Sequence, residues 1–168
     1  INMYSLSLIM PVYNEEELIK RNLLKIYEFF ESNNLNFELI IVESASSDSS
    51  LKYLKKIIKN KSKIKLIVQN KKMGWGNAII EGYKFCNKEY VSIISIDLPF
   101  ELIEYISNYR SILQNDIILS FRSVDDRTIF RKTLSFLHEK VVQILFRVKF
   151  RSINSQFKII KTDIISSF

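Results

Sequence analysis

The sequence predicts an α/β fold, an open and mostly parallel sheet with helices on both faces. Three observations carry this. Short apolar runs alternate with amphipathic stretches of helical period along the chain, the pattern of βαβ units. The strand-like runs are nearly continuously apolar, which fits strands covered on both sides. Two of them end in carboxylates, at Tyr13-Asn14-Glu15-Glu16-Glu17 and at Ser95-Ile96-Asp97. The carboxyl ends of parallel strands are where such sheets bind ligands.

In order, residues 4–10 read as a buried strand and 15–30 as an amphipathic helix with Asn14 at its N-cap. Residues 37–42 form a second strand. A polar turn follows, in which Asp48 or Ser49 caps a helix over 51–59. A third strand is expected at 64–69 and a turn at 70–76 feeding a helix over 77–86. A fourth strand spans 90–96, a helix 102–113 and a fifth strand 117–121. A long basic amphipathic helix is expected at 128–148, then a short last strand at 157–160. Right-handed crossovers place helices on both faces of such a sheet.

Composition narrows the function classes. The chain has 168 residues, 47% hydrophobic and 26% charged, which suits one domain over residues 1–168. The sole cysteine, Cys86, excludes an internal disulfide and points to a reducing, cytoplasmic compartment. The sole histidine, His138, leaves a His-based zinc site or a Ser-His-Asp triad almost nothing to build on. No apolar run reaches the roughly 18 residues of a membrane span. The formal charge of +7 suits an anionic partner, whether nucleic acid, acidic lipid or a phosphorylated substrate. Solvated lysine faces account for that charge equally well. With no nucleic-acid readout motif in the chain, nucleic acid is not the expected partner. The stop at Phe168, just after a strand and the start of a helix, is expected to be a cut within a longer protein.

Four short segments fall in order: Pro11-Val12-Tyr13-Asn14-Glu15-Glu16; Ile40-Ile41-Val42-Glu43-Ser44-Ala45-Ser46-Ser47-Asp48; Asn70 with Gly74-Trp75-Gly76-Asn77-Ala78 and Gly82; and Ser95-Ile96-Asp97-Leu98. In order and spacing they resemble the opening motif, the VDDGSxD turn, the NxGxGxAxxxG segment and the DADL metal motif of family 2 glycosyltransferases. Those enzymes have the nucleotide-sugar-binding GT-A fold, and the resemblance covers nearly the whole chain. It implies that Pro11, Tyr13, Glu15, Glu43, Ser44 and Ser95 contact the nucleotide of a nucleotide-diphosphate sugar. It also implies that Asp97 contributes to that site and holds a Mg2+ or Mn2+ ion. Such hard ions take oxygen ligands, commonly one or two carboxylates plus phosphate. The sequence departs from the pattern where Glu43 and Ser44 replace two Asp, Ser95 replaces the first Asp of DADL, and Pro99 stands where some members have Gln. Asp48 reads as a helix cap and not as a ligand.

Farther on, Asp116-Ile117-Ile118-Leu119-Ser120-Phe121-Arg122 resembles the DVVIGSR strand of polyprenyl-phosphate glycosyltransferases, the subgroup that includes dolichol-phosphate mannose synthases. Arg131 and Ser135 resemble the RxxxS start of that subgroup's interfacial helix. Asn154-Ser155-Gln156-Phe157-Lys158 resembles its DxxSGFK segment, with Asn154 in place of Asp and Gln156 in place of Gly. The resemblance implies catalytic phosphate contacts from Arg122 and Arg131, whose planar forks suit phosphate. It also implies a polyprenyl-phosphate acceptor, which is already anionic and needs no general base.

The helix over 128–148 can be read without the family. Phe130, Leu134, Leu137, Val141, Ile144, Leu145 and Val148 form one stripe, with Ile129, Phe136 and Phe146 adding apolar surface beside it. Arg127, Arg131, Lys132, Lys140, Arg147 and Lys149 surround them. Periodicity alone leaves two readings open, a core helix with a wet face or a helix seated on an anionic membrane surface. The resemblance favours the second, and with it a protein peripheral to the inner face of a membrane. Ser44, Ser95, Pro99 and Asn154 together support one alternative to an active enzyme: a catalytically degenerate relative that binds a nucleotide, a lipid surface or a protein partner.

Overall fold

The apolar runs assemble into one sheet. The computed structural model describes residues 4–98, 101–120, 128–146 and 157–166. Its elements run β1 (Ser5–Val12), α1 (Glu16–Ser32), β2 (Asn36–Glu43), α2 (Ser50–Ile58), β3 (Ile64–Val68), α3 (Trp75–Tyr83), β4 (Tyr90–Ile93), α4 (Glu104–Ser107), α5 (Tyr109–Gln114), β5 (Ile117–Leu119), α6 (Ile129–Phe146), β6 (Lys158–Lys161) and α7 (Thr162–Ser166). The sheet order is β3-β2-β1-β4-β6-β5. β1 pairs in parallel with β2 and β4, and β2 with β3, whereas β6 is antiparallel to both β4 and β5. The mostly parallel α/β sheet expected from the sequence is therefore present.

Side-chain alternation along the strands separates two layers. Leu6, Leu8, Met10 and Val12 of β1, with Leu39 and Ile41 of β2, join one buried cluster with Ile19, Leu23, Ile26 and Phe30 of α1 and Leu54 of α2. Tyr105 of α4 and Ile112 of α5 complete that layer. Ile40 and Val42 bury the opposite face against Ala78 of α3. Tyr105 is wholly buried, and its ring lies 5.2 Å from Phe30 and 4.9 Å from Phe157. Its hydroxyl meets Ser92 Oγ at 2.9 Å, and its backbone oxygen accepts from Tyr4 Oη at 2.6 Å. The polar ends of this aromatic cluster are thus hydrogen-bonded, as buried polar groups require.

Several boundaries move for identifiable reasons. The expected helix over 102–113 is broken at Asn108, whose side-chain amide donates to the Glu104 carbonyl at 3.0 Å and to Glu104 Oε2 at 2.8 Å. Such local bonds compete with the helical ladder. β4 is shorter than the apolar run 90–96, because β1 pairs with it only through Ile93. α3 starts two positions earlier than the expected 77–86, at Trp75. In α6 the described members of the apolar stripe are open: Leu134, Leu137, Val141 and Ile144 are exposed by 50% to 74%. Among the described residues, no helix is long and apolar enough to cross a membrane.

Close packing of α3 on the sheet rests on Gly82. A Cβ there would lie 2.5 Å from Ile9 Cγ2 and 3.4 Å from Val42 Cγ2, both on buried side chains. Gly82→Val is expected to destabilise the fold by about 1–3 kcal/mol through overpacking, read as a lower urea midpoint at unchanged slope.

Candidate functional site

The site begins with two loops that hold each other. The chain leaves β1 through Asn14, at φ 54°, and leaves β2 through Ala45, at φ 55°. Both are in the left-handed region, more accessible to Asn than to most residues. The Asn14 N–H donates to Ser46 Oγ at 2.9 Å, Asn14 Nδ2 donates to Ser47 Oγ at 3.1 Å, and the Ser47 N–H donates to Asn14 Oδ1 at 2.8 Å. Asn14 therefore spends its side chain bridging the loops and does not cap α1, as the sequence led one to expect.

The free N–H groups at the start of α1 are satisfied across the loops. Ser50 Oγ accepts from the Glu15 N–H at 2.9 Å, and Asp48 Oδ2 accepts from the Glu16 N–H at 3.1 Å. In return, Glu16 Oε2 accepts from the Ser49 N–H at 3.0 Å, while Asp48 Oδ1 accepts from the Ser50 N–H at 2.9 Å. Each helix start is capped largely by the other. Asp48 is a cap, in keeping with the sequence. Burial opposes its charge, but hydrogen bonds from Ser50 and the Glu16 N–H hold its carboxyl below the ordinary value.

Beside these loops lies a cleft of about 270 Å³, lined by Pro11, Val12, Tyr13, Glu15, Ser44, Lys72, Gly74, Trp75 and Ser95. It sits at the carboxyl ends of β1, β2 and β4, the position general to open parallel sheets. Pro11, Tyr13, Glu15, Ser44 and Ser95, all singled out from the sequence, meet in its wall. Glu43 is wholly buried instead. Its Oε1 accepts from the Ser46 N–H at 2.6 Å, and its Oε2 has no hydrogen-bond partner.

Asp97 is exposed two positions beyond Ser95. Its segment is fixed from behind: Asn22 Nδ2 of α1 donates to the Ile96 carbonyl at 2.8 Å. The next residue, Leu98, has φ 50°, a conformation that costs a non-glycine residue roughly 1–2 kcal/mol. Arg122, Pro99 and Asn154 lie outside the described residues, as does the side chain of Arg131.

Acid and base divide the site. Burial, then the negative charges of Asp97 and Asp48, push the Glu15 carboxyl from its ordinary 4.5 up to about 7. Glu15 Oε2 is buried without a hydrogen-bond partner. A carboxylate with an unpartnered oxygen, electrostatically coupled to an exposed second carboxylate, suits a hard divalent cation that shares its remaining sites with phosphate oxygens. Among the described residues no group of three or more His, Cys, Asp or Glu could hold a metal by itself. Lys72 also lines the cleft, and its Nζ lies 3.8 Å from the centroid of the Tyr13 ring. Gly74 at φ 85° leads into α3, where Trp75 is 65% exposed. A Cβ at Gly76 would meet nothing, so only Gly74 needs glycine's freedom.

Sequence reasoning quoted Trp75 without a role and missed Lys72 and Asn22. The Lys71-Lys72 pair just ahead of the Gly74 turn was the available signal for Lys72. None existed for Asn22, which lies in α1, far along the chain from the Ile96 carbonyl that it holds.

A mostly parallel α/β sheet with a cleft at its strand ends has the layout of open α/β folds that bind ligands there. Residues 7–157 match the profile described as Glycosyl transferase family 2, and the chain belongs to that family. It is 22% identical over 165 residues to the putative glycosyltransferase CsbB of Bacillus subtilis (strain 168), covering 96% of this chain and 50% of that one. The chain spans between 31% and 52% of the length of the curated relatives it matches. Its fold is similar to that of S. aureus TarS 1-349 in complex with UDP-GlcNAc, with TM-score 0.65, 21% identity and coverage of 97% of this chain and 47% of the other. It is also similar to glucosyl-3-phosphoglycerate synthase from Mycobacterium tuberculosis in complex with Mn2+, UDP and phosphoglyceric acid, with TM-score 0.69, 14% identity and coverage of 98% and 58%. These likenesses identify the GT-A architecture.

Three outcomes follow from this geometry. Asp48→Ala removes acceptors at both helix starts and is expected to cost about 1–2 kcal/mol of stability, measured by urea unfolding. Glu15 keeps its proton up to about pH 7 in the folded chain but loses it near 4.5 when unfolded. The folded state therefore binds the extra proton in that window, and this group's contribution to stability falls as pH rises from 4.5 to about 7. Glu15→Gln is expected to remove that slope. Asp97→Asn is expected to lower the Glu15 titration midpoint, followed by carboxyl NMR.

Proposed function

We propose that this domain binds a nucleotide-diphosphate sugar in the cleft and transfers the sugar to a polyprenyl phosphate at a membrane face. The observation that carries the reading is the meeting of Pro11, Tyr13, Glu15, Ser44 and Ser95 in one cleft at the strand ends, with the charge of Asp97 felt at Glu15. TarS and the phosphoglycerate synthase, which have the same architecture, are described in complex with UDP-GlcNAc and with UDP and Mn2+.

In this reading Tyr13 and Trp75 present aromatic surface to the nucleoside. Lys72 and the start of α3 bring positive charge to its diphosphate. Asp97, with Glu15 beside it, would hold Mg2+ or Mn2+, which when bound neutralises charge on the departing diphosphate. Arg122 and Arg131 would meet phosphate groups by resemblance. The acceptor phosphate attacks the anomeric carbon as an anion, so no side chain need remove a proton from it. The open stripe Leu134, Leu137, Val141 and Ile144 of α6 supports seating on a lipid surface, with Lys140 toward anionic headgroups.

One observation favours the degenerate alternative. Ser44 and Ser95 bring hydroxyls to the cleft wall, where the family resemblance would place carboxylates.

Thermal melting with UDP and GDP, with and without Mn2+, separates the two. A ligand at 100 times its dissociation constant adds about 2.7 kcal/mol, a shift of several degrees. The donor reading expects a shift that needs both nucleotide and metal and disappears in Asp97→Ala. A nucleotide shift that ignores Mn2+ and Asp97→Ala favours the alternative. For the acceptor side, flotation with anionic vesicles is expected to carry the protein and neutral vesicles to leave it behind. Arg131→Glu is expected to weaken that recovery, and equal recovery on both vesicle types would remove the membrane reading.

A further inference from the structure

The chain leaves β4 before it reaches Asp97. The Ile94 N–H donates to the Ile9 carbonyl at 2.9 Å, and among the described residues no backbone bond to a neighbouring strand follows until residue 98 is passed. Residues 95–98 close a turn on themselves, with the Leu98 N–H donating to the Ser95 carbonyl at 3.2 Å. Leu98 ends that turn at the left-handed φ of 50°. Ser95 lines the cleft, Ile96 is wholly buried and Asp97 is exposed. Among the described residues, one hydrogen bond ties the turn to another element: Asn22 Nδ2 donates to the Ile96 carbonyl at 2.8 Å. Asn22 is 8% exposed and lies among Ile19, Leu23 and Ile26 on the buried side of α1. An amide in that row costs desolvation that an aliphatic side chain would not, so packing alone does not account for it. Glu15 opens the same helix, where its carbonyl accepts from the Ile19 N–H at 2.9 Å. Two helical turns, about 10 Å of axis, separate Glu15 from Asn22 and bring them onto one face.

From this geometry we infer that Asn22 is a positioning residue for the divalent cation: through the Ile96 carbonyl it fixes where Asp97 stands relative to Glu15, with α1 as the rigid spacer between the two carboxylates. The inference rests on the nucleotide-sugar and metal reading of the cleft and deepens it. Asn22 touches neither ligand nor ion and acts only through the turn. Without its bond, the turn can relax the strained conformation at Leu98, and Asp97 moves with it. Mg2+ tolerates little departure from octahedral oxygen geometry, so a displaced carboxylate is a weaker ligand. Groups that orient a metal ligand from behind commonly matter to affinity nearly as much as the ligand's own neighbours.

Mn2+ binding, followed by the EPR signal of the free ion with UDP or GDP present, tests this alongside a melting curve for each variant. Asn22→Leu keeps the volume and removes the donor. It is expected to weaken Mn2+ binding about tenfold and to leave nucleotide binding without Mn2+ unchanged. Asn22→Ala, a good helix former, is expected to do the same and stands in should the leucine variant not fold. Leu23→Ala is the control, because it damages the same buried layer without touching the turn. It is expected to lower the melting temperature and leave Mn2+ affinity as it was. Amide hydrogen exchange reads the turn without any ligand: the Leu98 N–H is expected to exchange faster in Asn22→Leu than in Leu23→Ala. A merely structural role would lower Mn2+ affinity alike in the Asn22 variants and in Leu23→Ala, which overturns the inference. Undiminished Mn2+ affinity in both Asn22 variants overturns it too. A wild-type protein that binds no Mn2+ with either nucleotide sinks the metal-bound donor reading itself, and this inference with it.

Discussion

The reciprocal capping of α1 and α2 is the constraint on which the site depends. The first turn of a helix carries N–H groups with no partner inside the helix. Here those of α1 are taken up by Asp48 and Ser50, and Glu16 serves the start of α2 in return. Asn14 adds the bridge to Ser46 and Ser47. Neither loop can move without leaving the other's backbone donors bare. Tyr13 and Glu15 on one loop and Ser44 on the other are therefore presented as a single wall. The exposed pairs of Lys20 with Glu16 and Glu17 contribute little by comparison. Glu16 matters through the oxygen it turns to Ser49.

The cleft brings groups of both signs together. Glu15, which feels the charge of Asp97, and Lys72 both belong to its wall. An anion alone would be repelled by the carboxylates and attracted by the lysine. A cation beside the carboxylates would remove that repulsion, so the binding of the two would be coupled.

The mostly parallel sheet was legible from the hydrophobic pattern, and the strand-end location of the cleft from the carboxylates that follow two of the strands; the strand order appears only in the structure. Runs such as Leu8-Ile9-Met10 and Leu39-Ile40-Ile41-Val42 must be buried on both faces, and few folds do that. The part of the site made by residues next to a strand end was legible too, because Tyr13, Ser44 and Ser95 lie within a few positions of β1, β2 and β4. What stayed hidden depends on contacts distant in sequence. Asn14 has the composition of a cap, but its side chain is drawn to Ser47, and only the fold brings them together. The break at Asn108 turns on whether one amide bonds backward to Glu104, which periodicity does not decide. Asn22 lies inside α1 and signals nothing until the sheet has closed.

The position of β6 has a temporal consequence. Among the described residues β5 has no neighbour in the sheet except β6, and β4 gains its second partner only when β6 arrives. As the polypeptide emerges from the ribosome, β1 to β4 can assemble at once, and the wall formed by Tyr13, Glu15 and Ser44 with them. β5 must wait for a strand made some forty residues later. The half that carries the cleft is thus built before the half that carries the exposed stripe of α6.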